Sequence, residues 1–147
     1  MATTVRIRNN LPLLQKTLSE DRSSIQKAGA FLEGKMVEKI NSNIPPPLSP
    51  KTIAWKQSHS GHGGSLALVA TTQMRQEITT KQIDDQTVGV GVYGSRAGIA
   101  EVHEFGALSK GIPERSFIRS TANENKKTIT EVFGANLKTV VEKTVLK

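Results

Sequence analysis

The sequence predicts an α+β fold: a small antiparallel β-sheet packed by a long N-terminal helix and a C-terminal helix. Three observations predict it. Ile25, Ala28, Leu32, Met36 and Ile40 recur three or four residues apart, so in a helix they line one face. Ile129, Val132, Phe133, Leu137, Val140 and Val141 form a second such stripe near the C-terminus. Between the stripes, Val88, Val90 and Val92 alternate with Gly89, Gly91 and Tyr93, the pattern of a strand with one apolar face. With 147 residues, residues 1–147 are expected to form one domain with a core of its own.

Taken in order, Val5 and Ile7 alternate with Arg6 and Arg8, so residues 1–9 read as a short edge strand or an arm. Leu11, Leu14 and Leu18 follow at helical spacing. Ser19 or Asp21 either caps a second helix or lies on the surface of one long helix. The Ile25–Ile40 stripe reads first as core packing and second as a partner-helix surface. Its helix should stop near Asn41 to Asn43, because Pro45, Pro46 and Pro47 cannot continue it and instead form a stiff spacer. Ser49 then reads as an N-cap with Pro50 at the first helical position, opening a short helix to about Gln57 that carries Ile53, Ala54 and Trp55. Residues 58–65 contain no apolar residue and are expected to be a mobile loop. Leu66, Leu68 and Val69 return to the core. Glu77 to Ile83 reads as a strand, Asp84 and Asp85 as its turn, and Thr87 to Tyr93 as the partner strand. Gly89 and Gly91 predict a bulge or the close approach of another backbone. Gly94 to Gly98 reads as another loop, which removes the helix that a dinucleotide-binding reading of these glycines would need. Thr121 with Glu124 predicts a capping box at the start of the last helix.

The chain is organised around the corner between the valine strand and that last helix. It runs Ala100-Glu-Val-His-Glu-Phe-Gly106, then Ile112-Pro-Glu-Arg-Ser-Phe-Ile118. Phe105 and Phe117 are two of only four phenylalanines in a chain that is 4% aromatic, so each is expected to be buried, in the fold or at a subunit seam. Gly106 permits a positive φ, and Pro113 fixes one φ and biases Ile112 towards extended backbone. His103 and Glu104, as neighbours in an extended segment, would point to opposite faces and form no dyad. His103, Glu104, Phe105, Gly106, Pro113, Arg115 and Phe117 are therefore read as a structural corner or subunit interface, not as a reaction centre.

Little else suggests chemistry. The chain has no cysteine, hence no disulfide framework or thiolate metal site. His59 and His62 fall short of a four-coordinate ligand set, and no cofactor or metal is expected. No spaced nucleophile signature accompanies the serines and histidines, so catalytic residues are not expected. The net charge is +7 and the pI about 9.9. That raises the case for an anionic partner such as DNA, but without a dense Lys/Arg block the first reading of the charge is solubility. Lys138, Lys143 and Lys147 complement the dipole of the last helix or offer a basic surface. No stretch nears the ~20 apolar residues of a membrane span, and the first residues lack the apolar core of a secretory signal, so a cytoplasmic protein without a membrane is expected. An apolar content of 36% is low for a compact monomer of this length.

The order of motifs carries a resemblance. Pro47-Leu-Ser-Pro-Lys-Thr-Ile53 with Trp55 comes first, then Leu68-Val-Ala-Thr-Thr-Gln-Met-Arg-Gln-Glu-Ile78. Val88-Gly-Val-Gly-Val92, Glu101-Val-His-Glu-Phe-Gly106 and Ile112-Pro-Glu-Arg-Ser-Phe-Ile118 follow. Across residues 45 to 125 this series resembles the virion-morphogenesis and tail-completion (head–tail joining) proteins of tailed bacteriophages. Thr72 stands where that family has a turn glycine, Ser116 where a proline is common and Glu114 where a small residue is common. The resemblance implies an α+β fold and a structural, non-enzymatic subunit of a homo-oligomeric ring. Its implied partners are other phage neck or tail proteins, such as the tail tube and the head–tail connector. Its implied place is the virion, after assembly in the host cytoplasm. A basic nucleic-acid-binding module is the alternative.

Overall fold

The computed structural model describes residues 11–59, 64–69 and 72–145. The arm read at residues 1–9 and residues 60–63 of the loop read at 58–65 lie outside them. The first leucine helix, α1 (Leu11–Glu20), is separate from the long N-terminal helix α2 (Ser23–Ile40). Asp21 makes the break: its carboxylate accepts the Ser23 N–H at 3.1 Å and the Ser23 hydroxyl at 2.7 Å, and also binds the Ser24 hydroxyl. The Ser23 N–H is one of the leading N–H groups that a new helix leaves without an intrahelical partner. α2 ends at Ile40, ahead of the prolines. Helix α3 (Pro50–Ser58) starts as expected, with the Ser49 hydroxyl accepting the Thr52 N–H. Its buried residue, however, is Lys56, while Trp55 is half exposed and stacks on His59. The Lys56 ammonium donates to the carbonyls of Leu66 and Val69 at 2.6 and 2.8 Å, anchoring the 64–69 segment. Burial pushes its pKa down.

One turn of helix, α4 (Gln73–Gln76), leads into the hairpin of β1 (Ile78–Asp84) and β2 (Thr87–Val92). Thr72 has φ of −71° there, so this turn needs no glycine. The strands pair antiparallel with Thr80 opposite Val90, and an irregularity sits between Gln82 and Asp84. The valine face lies on α2, where Gly29 permits contact: a Cβ on it would stand 2.6 Å from Thr80 Cγ2. On the opposite face no second backbone approaches the β2 glycines among the described residues. Tyr93 folds back instead, so that a Cβ on Gly89 would lie 2.3 Å from its hydroxyl. Lys81 Nζ stands over the Tyr93 ring, 4.6 Å from its centroid.

Residues 97–105, expected to be loop and then extended chain, form helix α5 (Ala97–Phe105). Only Gly94 to Arg96 remain a turn. The last helix, α6 (Ile118–Val145), is 28 residues long, about 42 Å at the usual rise. It packs along α2 and α1. One core joins the pieces: Met36, Ile40, Ile44, Leu68, Val69, Met74, Ile78, Ala100 and Phe117. The fold is α+β, with both long helices against a two-stranded sheet. No helix among the described residues is long and apolar enough to cross a membrane.

Candidate functional site

The corner is a helix-to-helix junction. α5 ends at Phe105, and Gly106 turns the chain with φ of +75°. A side chain there would be strained, and its Cβ would stand 2.8 Å from the Glu114 amide. A small loop follows. Ala107 and Ile112 exchange both main-chain hydrogen bonds, at 2.8 and 3.1 Å, around a 3₁₀ turn at Leu108–Lys110 closed by Gly111. Pro113 then directs a short extended run into α6.

Glu104 binds the junction together. On a helix it lies 100° from His103, not opposite it as in a strand, and it points inward, 3% exposed. Oε2 accepts the amides of Phe117 and Ile118 at 2.8 and 2.9 Å. Oε1 accepts the Ser116 hydroxyl at 2.7 Å, the Arg119 amide at 2.9 Å and Arg119 Nε at 3.0 Å. The Ser120 amide goes to the Ser116 hydroxyl at 3.3 Å. The four leading N–H groups of α6 are thus satisfied, three of them by a carboxylate borrowed from the preceding helix. Burial alone would push the Glu104 carboxyl up. The amides of Ile118, Arg119 and Phe117 and the Ser116 hydroxyl outweigh it and hold the group below the ordinary glutamate range. Both of its carboxylate oxygens are taken up by these donors.

This arrangement corrects the expected capping box. α6 begins three residues before Thr121, because Glu104 supplies the acceptor from outside the helix. The Thr121 hydroxyl binds the Phe117 carbonyl instead, and Glu124 pairs with Lys39 at 2.7 Å.

Arg115 draws a further motif in. It is 5% exposed, its amide donates to the His103 carbonyl at 2.7 Å, and its Nε donates to the Pro46 carbonyl at 2.8 Å. The proline spacer is so fixed to the corner. His103 is half-buried. Burial, and then the neighbouring Arg115 charge, push its pKa down, and its Nδ1 is buried without a hydrogen-bond partner among the described residues. Phe117 is fully buried in the core. Phe105 is not. It is 60% exposed, with the Arg119 guanidinium 4.5 Å from its ring centroid. Its expected burial within the fold is therefore wrong for this chain: at the last position of α5 it lies about 100° from Glu104 and about 140° from Ala100, turned away from the inward face that those two share.

Sequence reasoning missed a second junction of the same kind. The Glu77 carboxylate accepts the Arg96 amide at 2.7 Å and the Ser95 hydroxyl at 2.9 Å, holding the turn that opens α5. The Arg96 amide, ahead of burial, sets the downward shift of the Glu77 pKa. Gly94 makes room, since a Cβ there would lie 2.2 Å from Glu77 Cδ. The signal available was a glutamate just before β1 and a glycine just after β2, positions that the Tyr93 N–H to Glu77 carbonyl bond sets side by side. Of the two loop histidines, His59 accepts or donates through Nδ1 to the Trp55 carbonyl and the Ser58 hydroxyl, and His62 lies outside the described residues. Among the described residues no group of three or more metal-ligating side chains gathers. Compared with protein-family models, curated proteins and solved structures, the chain shows no match.

Proposed function

We propose that this chain is a structural, non-enzymatic virion protein of a tailed phage, completing the tail or joining it to the head as one subunit of an oligomeric ring. One observation carries the reading. Two of the segments that carry the resemblance, 101–106 and 112–118, meet in one hydrogen-bonded junction to which Arg115 ties Pro46 and Pro47, and that junction presents apolar side chains outward. Ile99, Phe105 and Leu108 are 44%, 60% and 93% exposed. A helix apolar on its outer as well as its inner side suits a surface covered by another subunit. The rigidity below it comes from Glu104, whose partners are all main-chain or neighbouring side chains of the same fold. Contact with DNA through the net charge of +7 is the rival account of that surface.

The test is the mass in solution and binding to tails. The protein should exceed 15.9 kDa several-fold, alone or on adding purified tail tubes, and should sediment with them. A strict monomer that never joins a tail, yet binds duplex DNA, would overturn the proposal in favour of the nucleic-acid reading.

A further inference from the structure

The hairpin leaves one strand edge without a partner. The Tyr93 N–H bonds the Glu77 carbonyl at 3.1 Å, which sets the phase of the ladder. In an antiparallel pair every second residue turns its main-chain groups to the partner. Gly89 and Gly91 therefore face β1, and Val88, Val90 and Val92 turn their N–H and C=O groups outward. Among the described residues nothing bonds those groups. A two-stranded hairpin with an open edge is a template for a third strand.

Beside that edge runs an apolar trough of about 390 Å³. Ala28 and Leu32 of α2 form its floor, Val88 and Val90 one wall, Ile129 and Phe133 of α6 the other. No β1 residue lines it, so it lies on the open side of β2. It continues past Ile25 and Phe133 into a second hollow of about 340 Å³ that reaches Leu18 and Leu137. A strand added to β2 would place alternate side chains into this trough and the others away from it. The edge supplies main-chain donors and acceptors, and the trough selects apolar side chains at every second position.

The chain contains one unassigned stretch with that pattern. Val5 and Ile7 alternate with Arg6 and Arg8, ahead of Leu11, where the described structure begins. We infer that residues 4–8 of one copy add as a third strand to β2 of a second copy, with Val5 and Ile7 in the trough and Arg6 and Arg8 in solvent. Reach favours a second copy over the same chain. Leu18 lines the second hollow and not the trough, and Leu11 lies two turns of helix before Leu18, about 10 Å at the usual rise. A chain reversing at Asn9 and Asn10 would use Arg8 to Val5, about 13 Å of extended backbone, to run back beside α1. It would arrive at the second hollow, short of the trough, with no alternating residues left. The inference rests on the reading of the chain as a self-assembling subunit, and supplies the link between its copies.

The absence of cysteine makes the link testable with single substitutions. Full-length Ile7→Cys protein is mixed with full-length Thr130→Cys protein, or with Thr139→Cys protein, and oxidised. Both threonines are exposed on α6, but only Thr130 borders the trough. A crosslinked dimer should form with Thr130→Cys and not with Thr139→Cys. Equal crosslinking to both, or to neither, would overturn the inference. In parallel, V5D/I7D, which leaves every residue of the described core in place, should lose assembly and run at the mass of one chain while melting unchanged. If V5D/I7D assembles as the unaltered protein does, strand addition is wrong and the subunit reading stands. If the unaltered protein is itself a strict monomer, both fail.

Discussion

At the scale of single residues, Glu104 and the two phenylalanines divide the work of the corner. Glu104 accepts five hydrogen bonds while nearly buried. Replacing it by Gln keeps the shape but removes the charge and turns an N–H₂ towards amide donors. Leaving buried donors unsatisfied costs about 1–3 kcal/mol, so Glu104→Gln should lower stability by that order at neutral pH, read by urea denaturation. The pH dependence has a definite sign. The folded-state pKa is depressed, so the stabilisation is complete above the ordinary glutamate value of about 4.3. It is lost as pH falls from there through the folded value. Glu104→Gln should flatten that acid limb. Phe117→Ala empties a fully buried site and should cost about 3–5 kcal/mol, much of the ~5–15 kcal/mol that such a domain has. Phe105→Ala removes an exposed ring and its cation contact, worth about 1 kcal/mol or less. It should melt almost normally and fail in assembly. Equal loss of folding in both would show that Phe105 is a core residue after all. Nothing in the sequence separated these two rings, since each is a lone aromatic residue in the same corner. Only the direction in which α5 faces does so.

At the scale of elements, legibility followed periodicity. α2, α6 and the hairpin carry repeats of 3.6 or 2 over many residues, and the sequence reading placed them within a few residues of their ends. α5 carries no such record. It is nine residues long, has Gly98 near its start, and faces apolar residues both inward and outward, so no stripe shows. Its N-terminus is held by Glu77, 19 residues upstream of Arg96. The start of α6 was misread for the same reason: Glu104 is 15 residues from Arg119, and a local capping box was the nearest available pattern. Caps taken from another element leave no local signature. They do leave a test. Gly94→Ala pushes its Cβ into the Glu77 carboxylate and should destabilise by about 1–3 kcal/mol. Gly98→Ala, inside α5 with open space around it, should be neutral or stabilising by about 0.4–1 kcal/mol. Thermal melts of the pair would separate the two outcomes, and a harmless Gly94→Ala would show that α5 does not depend on the Glu77 cap.

At the scale of the whole molecule, charge and apolar surface make opposite claims on the partner. Seven net positive charges would serve a phosphate backbone, but the cations are dispersed. Lys39 is taken by Glu124 and Arg119 by Glu104 and Glu114. Arg115 is buried on proline carbonyls, and Lys56 on those of Leu66 and Val69. Several exposed lysines, Lys51, Lys110 and Lys126 among them, stay unpaired among the described residues, but two further features without a partner there are of another kind: the outward side of α5 and the open edge of β2 with its trough. Salt separates the two claims. A protein neutralising some 6–10 phosphates loses roughly 10³–10⁵-fold in affinity between about 50 and 200 mM salt, because counterions are released on binding. Association through apolar side chains and strand pairing releases few counterions, and the hydrophobic share of it is strengthened by excluded salts such as sulfate. The assembled mass, followed by light scattering across that range, should therefore hold steady, and should rise with sulfate. A mass that collapses to one chain as salt rises would place the electrostatic surface, and not α5 or β2, at the centre of what this protein binds.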